Sequence, residues 1–164
     1  MNKVYVGLGS NIGSREEYLS RAIAAIASSP NCKIVKVSSV YETKAYGETE
    51  QPNFFNAALE VETKFSLIHF LLFIKNIEKE LGRTKRAKWG PREIDIDIIL
   101  FNNDVYSDEQ ISVPHKDMLN RDFVLVPLAE LNSSLTYPVT GEKLINHTAA
   151  EKNIITKLDI QLLL

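Results

Sequence analysis

The chain is predicted to fold as an α+β domain with a ferredoxin-like split βαβ core, an antiparallel sheet with both helices on one face, followed by a C-terminal extension. Three observations predict this. The elements run strand, helix, strand, strand, helix, strand; no helical stretch separates the two middle strands, so they pair antiparallel; and 164 residues with 45% apolar content suit one core rather than two. Lys3 to Leu8 is the first strand. Ser14-Arg15-Glu16-Glu17 reads as a capping box opening a helix with apolar positions Leu19, Ala22, Ile23 and Ile26, ending near Ser28-Ser29-Pro30. Ile34 to Tyr41 and Phe55 to Thr63 are the middle strands, joined by a polar stretch from Thr43 to Asn53. Ser66 caps a second helix carrying Leu67, Phe70, Leu71, Ile74, Ile77 and Leu81, closed by Gly82. Ile94 to Phe101 is the last core strand. Residues 1–164 are thus expected to form a single domain, with a core of about 3–101 and an extension of about 102–164. In the extension, Phe123 to Leu128 reads as helical, Thr136 to Leu144 as a hairpin, and Leu158 to Leu164 as apolar enough to dock.

The last core strand carries the chemistry. In Ile94-Asp95-Ile96-Asp97-Ile98-Ile99-Leu100-Phe101, residues two apart share a face, so both carboxylates emerge together while the isoleucines between them turn to the other side. Asp is a poor strand former, and Thr, Lys or Glu would serve a merely wet face better. Two such charges about 6 Å apart repel by about 2.8 kcal/mol at an effective dielectric of about 20. A divalent cation removes that cost. Carboxylate oxygens with no neighbouring His or Cys suit magnesium, which in such a setting usually arrives with phosphates.

Upstream, Arg83-Thr84-Lys85-Arg86-Ala87-Lys88-Trp89-Gly90-Pro91-Arg92 holds five cations and no acid. The whole chain has 19 Lys and Arg against 21 Asp and Glu, a net charge of −2, so this loop is a local positive island. That balance disfavours a nucleic-acid backbone and fits a small polyanion such as a nucleoside triphosphate, held by arginines on one flank and carboxylate-bound magnesium on the other. Trp89 beside Gly90 and Pro91 is a candidate lid. The lone Cys32 excludes an internal disulfide, no signal peptide opens the chain and no apolar stretch is long enough for a membrane span, so a cytoplasmic protein without a membrane partner is expected.

Two further stretches read less sharply. Gly7-Leu8-Gly9-Ser10-Asn11-Ile12-Gly13 follows a strand and precedes a helix, but Ile12 stands where a dinucleotide fingerprint needs glycine, and Ser14-Arg15 where a P-loop needs Lys-Ser or Lys-Thr. A tight strand-to-helix turn is the better reading. His115 and Arg121 sit in a stretch too polar for core, where they either contact phosphate or cap and solvate a surface loop. Ser10 and Cys32 lack the neighbours of a covalent nucleophile.

Five motifs in order, Gly7 to Gly13, Gln51-Pro52-Asn53-Phe54-Phe55-Asn56-Ala57, Leu81-Gly82-Arg83, Trp89-Gly90-Pro91-Arg92-Glu93-Ile94-Asp95-Ile96-Asp97, and Pro114-His115 with Arg121-Asp122-Phe123, closely resemble the hydroxymethyldihydropterin pyrophosphokinases. The resemblance covers about residues 3–131. It implies a folate-pathway enzyme that moves pyrophosphate from ATP to the hydroxymethyl group of a reduced pterin and releases AMP, on a ferredoxin-like core. By the same resemblance, Asp95 and Asp97 would hold two magnesium ions, and Glu78, Arg83, Lys85 or Arg86, Trp89, Arg92, His115 and Arg121 would line the ATP. Thr43, Phe54, Asn56, Asp95 and Phe123 would contact the pterin, with the two phenylalanines sandwiching its ring. Arg83, Arg92 and Asp97 would be the catalytic residues. Lys116 replaces an aromatic of the family pattern, Lys44-Ala45 replaces a proline-rich segment after Thr43, and the basic loop is a residue short. The glycine motif then shapes a turn near the pterin pocket.

Overall fold

β1 (Asn2–Ser10) is the spine of the sheet in the computed structural model, which describes residues 1–45, 50–84 and 90–162. It pairs antiparallel with β4 (Phe54–Thr63) on one side and with β5 (Asp95–Phe101) on the other. Outward from β4 come β2 (Cys32–Val37) and β3 (Val40–Thr43), and β8 (Ile154–Leu158) adds to β3 to complete six strands. The expected antiparallel split βαβ core is therefore present.

Alternation sends Val4, Val6 and Leu8 of β1, Ile96 and Ile98 of β5, and Ala57, Leu59 and Val61 of β4 to one face. There they bury the apolar stripes of α1 (Arg15–Ala27; Leu19, Ala22, Ile23, Ile26) and α2 (Leu67–Glu80; Phe70, Leu71, Ile74, Ile77). A second cluster lies on the opposite face, where Tyr5, Ala58 and Ile99 meet Val124, Leu125, Leu128 and Leu131 of α3 (Asp122–Leu131). α3 covers only part of that face, and the remainder is where the site forms.

Several elements differ from the sequence reading. Ile34 to Tyr41 is two strands, because Ser38 interrupts the run: its hydroxyl accepts from Ala58 N–H at 2.8 Å and donates to Ser39 C=O at 2.8 Å, taking the place of a ladder bond. The capping box does not form. Ser14 occupies the N-cap of α1 without a side-chain hydrogen bond, and Glu16 and Glu17 in the first turn complement the helix dipole instead. Ser66 caps α2 as expected, accepting from His69 N–H, and Gly82 follows with φ of 93°. In the extension, β6 (Tyr106–Ser107) and β7 (Ser112–Val113) form a short hairpin, and the Thr136–Lys143 bridge closes the expected turn. The tail contributes β8 and then buries Leu162 against the main core.

Candidate active site

Register decides what stands on the open face. Gly7 of β1 lies between Ala58 and Asp97, and Gly9 lies between Asn56 and Asp95, so the central strand sets no side chain between the carboxylates and Asn56. A Cβ on Gly9 would stand 2.7 Å from Asn56 Oδ1, and one on Gly7 would press Ile99 Cδ1 at 3.3 Å. These glycines lie inside the strand and make a floor. The expected turn belongs to Gly13 alone, with φ of 71°.

Above that floor is a cavity of about 300 Å³ lined by Thr43, Phe54, Asn56, Arg92, Asp95, Asp97, His115, Arg121 and Phe123, together with Lys44, Lys116 and Asp117. Nine of the expected site residues thus converge from β3, β4, β5, the start of α3 and the loops that carry Arg92 and His115. Lys85, Arg86 and Trp89 lie outside the described residues.

The two aspartates have opposite environments. Asp95 accepts from Arg83 Nη1 at 2.8 Å on one oxygen and from Arg92 Nη1 at 2.8 Å on the other. Burial pushes its carboxyl upward, but the Arg92 and Arg83 guanidiniums outweigh burial and hold it below the usual carboxylate range. Asp97 has no such partner among the described residues. Burial first, and the Asp95 charge second, push it up to about 8. Among the described residues no group of three or more His, Cys, Asp and Glu is placed to hold a metal ion. A magnesium ion would therefore find here two carboxylates, one in need of a counter-charge, and take its other ligands from phosphate oxygens and water.

Glu78 departs from the expectation that it faces a nucleotide. It is 4% exposed and, like Arg83, absent from the cavity wall. Its carboxylate accepts from Arg83 Nη1 at 2.7 Å, from Lys75 Nζ at 3.2 Å and from the Ile96 N–H at 2.7 Å, which ties α2 to β5 and aims Arg83 at Asp95. Asn11 is a positioning residue that the sequence reading passed over. Its side chain accepts from Arg92 N–H at 2.8 Å and donates to Gln51 Oε1 at 2.8 Å and Pro52 C=O at 3.0 Å, joining the arginine to the segment before Phe54. Its only signal was an Asn just after a strand, which most often caps or turns.

On the other wall, Asp117 N–H donates to His115 Nδ1 at 3.2 Å, which assigns the ring proton to Nε2. Burial, then the Arg121 charge, lowers the His115 pKa, so the ring is a neutral donor. Arg121 Nη2 donates to Asp117 Oδ2 at 3.4 Å, and its guanidinium lies 5.7 Å from the Phe123 ring centroid. Asn56 Nδ2 donates to Thr43 Oγ1 at 2.7 Å, which leaves the Asn56 carbonyl oxygen turned to the glycine floor. Two aromatics, an amide, a hydroxyl, and anionic and cationic groups around one cavity suit a flat heterocycle placed beside a polyphosphate.

Comparison with known proteins agrees. A family model described as 7,8-dihydro-6-hydroxymethylpterin-pyrophosphokinase (HPPK) matches residues 5–133. A 2-amino-4-hydroxy-6-hydroxymethyldihydropteridine pyrophosphokinase of Bacillus subtilis is 46% identical over 130 residues, 79% of this chain and 78% of its own. One of Aquifex aeolicus is 44% identical, over 85% of this chain and 86% of its own. Among solved structures, a Plasmodium falciparum HPPK-DHPS variant with pterin and p-hydroxybenzoate superposes over 88% of this chain with a TM-score of 0.70 at 16% identity. An HPPK-DHPS in complex with substrates does so with a TM-score of 0.68 at 14% identity. This chain spans 42% of the length of each of those two proteins, and at that identity they speak for the fold alone.

Proposed function

The chain belongs to the 7,8-dihydro-6-hydroxymethylpterin-pyrophosphokinase family, and from that premise we propose that the cavity on the glycine floor is where ATP and the reduced pterin meet. The reaction is pyrophosphoryl transfer from ATP to the hydroxymethyl group of 6-hydroxymethyl-7,8-dihydropterin, with release of AMP, in folate biosynthesis. The observation that best supports the site is the Asp95–Asp97 pair, one carboxylate locked by two arginines and the other short of a cation, in a cavity that Phe54 and Phe123 also line.

In this reading Phe54 and Phe123 take the pterin ring by its faces, and Thr43 and Asn56 read its hydrogen-bonding edge. Asp95 borders the ring from the carboxylate side. Arg83, Arg92, His115 through Nε2, and Arg121 contact the phosphates, joined by Lys85 or Arg86 and closed by Trp89, while Glu78 acts through Arg83. Magnesium, with two ions expected on Asp95 and Asp97, would neutralise phosphate charge and fix its geometry. The pterin hydroxyl oxygen attacks the β-phosphorus in line. The bond from that phosphorus to the oxygen it shares with the α-phosphate breaks, and AMP leaves with the bridging oxygen. Arg83 and Arg92 stabilise the developing charge, and Asp97 is the acceptor assigned to the hydroxyl proton. All 164 residues are read as one pyrophosphokinase domain working in the cytoplasm. Among the described residues no helix is long and apolar enough to cross a membrane.

Product analysis tests this. With magnesium, ATP and the reduced pterin, AMP and the pterin pyrophosphate should form one for one. ADP, free pyrophosphate, or nucleotide turnover indifferent to pterin would point to another phosphoryl or nucleotidyl transfer.

A further inference from the structure

Residues 134–164 lie beyond the family match, yet part of this stretch is fastened to both walls of the cavity. On the β3 side, Ile154 pairs with Thr43, and Lys44 N–H donates to Asn153 C=O at 2.8 Å. On the α3 side, Asp122 Oδ2 accepts from the N–H groups of both Asn153 and Ile154 at 2.9 Å. Next to it, Glu151 forms an isolated parallel backbone bridge with Arg121 and donates its N–H to Asn120 C=O at 3.2 Å. Thr43, Lys44, Arg121 and Phe123 all line the cavity, whereas neither Asp122 nor any residue of 151–158 does.

The placement of Asp122 is informative. As the first residue of α3 its carboxylate could serve its own helix terminus, but Oδ2 spends its acceptor capacity on two amides of a segment about 30 residues downstream. At the other end of α3, Glu130 accepts from Tyr41 Oη at 2.6 Å and from the Ser39 N–H at 2.8 Å, so the helix is pinned to β3 at both ends. The far pin is direct. The near pin, beside the site, runs through the tail.

We propose that residues 151–158 are a strap that sets the distance between the Thr43–Lys44 wall and the Arg121–Phe123 wall, and that Asp122 is the positioning residue that fastens it. The proposal rests on the reading of this cavity as the pterin and ATP site. A strap that holds two binding walls in register must be tightened by the ligand that bridges them, because coupling between sites is reciprocal. A tail that only stabilises the fold carries no such link.

The test is amide hydrogen exchange on the intact protein with and without the reduced pterin, beside steady-state kinetics of Asp122→Ala, Asn153→Pro and the double variant. Asn153→Pro removes one of the two donors to Asp122 without altering the cavity wall. The expected result is slower exchange at Asn153 and Ile154 when pterin is bound. Each single variant should raise the pterin KM about tenfold, with a smaller change in kcat, and the double variant should be no worse than the more impaired single, since both open the same clasp. Exchange at Asn153 and Ile154 indifferent to pterin, or effects of the two variants that multiply, overturns the strap. The exchange measurement needs no variant, so misfolding of Asp122→Ala leaves the question decided. Failure of the parent to bind pterin would instead overturn the reading of the cavity.

Discussion

Gly9 contributes to the site by lacking a side chain. Its missing Cβ leaves room for Asn56 Oδ1, which would otherwise lie 2.7 Å away. Gly9→Ala is expected to weaken reduced-pterin binding about tenfold and to cost about 1–3 kcal/mol of stability by overpacking. Fluorescence titration and urea unfolding check the two halves, and unchanged pterin affinity would show that the floor does not touch the ligand. Phe123→Ala should weaken pterin binding far more than ATP binding, since the lost stacking face is worth on the order of 1 kcal/mol before apolar exposure is added. Equal calorimetric losses for both ligands would remove Phe123 from the ring. At this scale the Asp pair was legible in the sequence because a carboxylate in an isoleucine strand contradicts the local preference. The glycines were not, because the meaning of Gly7 and Gly9 depends on their register against Asp97 and Asp95, and register is not visible in one strand.

α2 and β5 are joined at the site by one carboxylate. Glu78 is buried, takes three donors and aims Arg83, so Glu78→Ala should destabilise the fold by about 3 kcal/mol, as breaking one side of a buried pair does. It should also raise the ATP KM, because Arg83 loses the anchor that points it at Asp95. Urea unfolding and initial rates with varied ATP measure both, and a variant of parental stability would contradict the buried network. Helix faces and the order of elements along the chain were readable from period and from the cap at Ser66, since each is local. The break at Ser38 depends on a hydroxyl that mimics backbone, and the strand β8 depends on a free edge of β3 that only the folded sheet creates. Hence no strand is legible in the sequence at Ile154–Leu158, whose pairing partner lies more than 100 residues upstream, and only the docking of the apolar Leu158 to Leu164 was expected.

For the whole molecule, Asp97 links stability to pH and to metal. Its folded pKa is about 8 against an ordinary 3.8, so between those values the metal-free native state holds a proton that the unfolded chain has lost. The contribution of Asp97 is therefore complete at acid pH and is lost as pH rises through about 8, at up to about 1.4 kcal/mol for each pH unit inside the window. Asp95, below its ordinary range, works in the opposite sense and only at acid pH. Burial lowers the His115 pKa, so His115 loses stability as pH falls from about 6.5. Asp95 titrates below pH 4 and the His115 contribution is shared by parent and Asp97→Asn, so the variant's relative stability should grow from pH 4 to about 8.

Urea unfolding of the metal-free parent and Asp97→Asn near neutral pH, run beside AMP formation with magnesium, ATP and reduced pterin, is the most direct measurement of what the Asp pair does. Asp97→Asn should lose nearly all AMP formation while unfolding no more easily than the parent, because Asn spares the metal-free protein the proton uptake that burying Asp97 requires and deletes an anionic ligand that magnesium-ATP requires. Substantial remaining activity, or markedly easier unfolding, would make Asp97 a structural residue and contradict the assignment of the metal site.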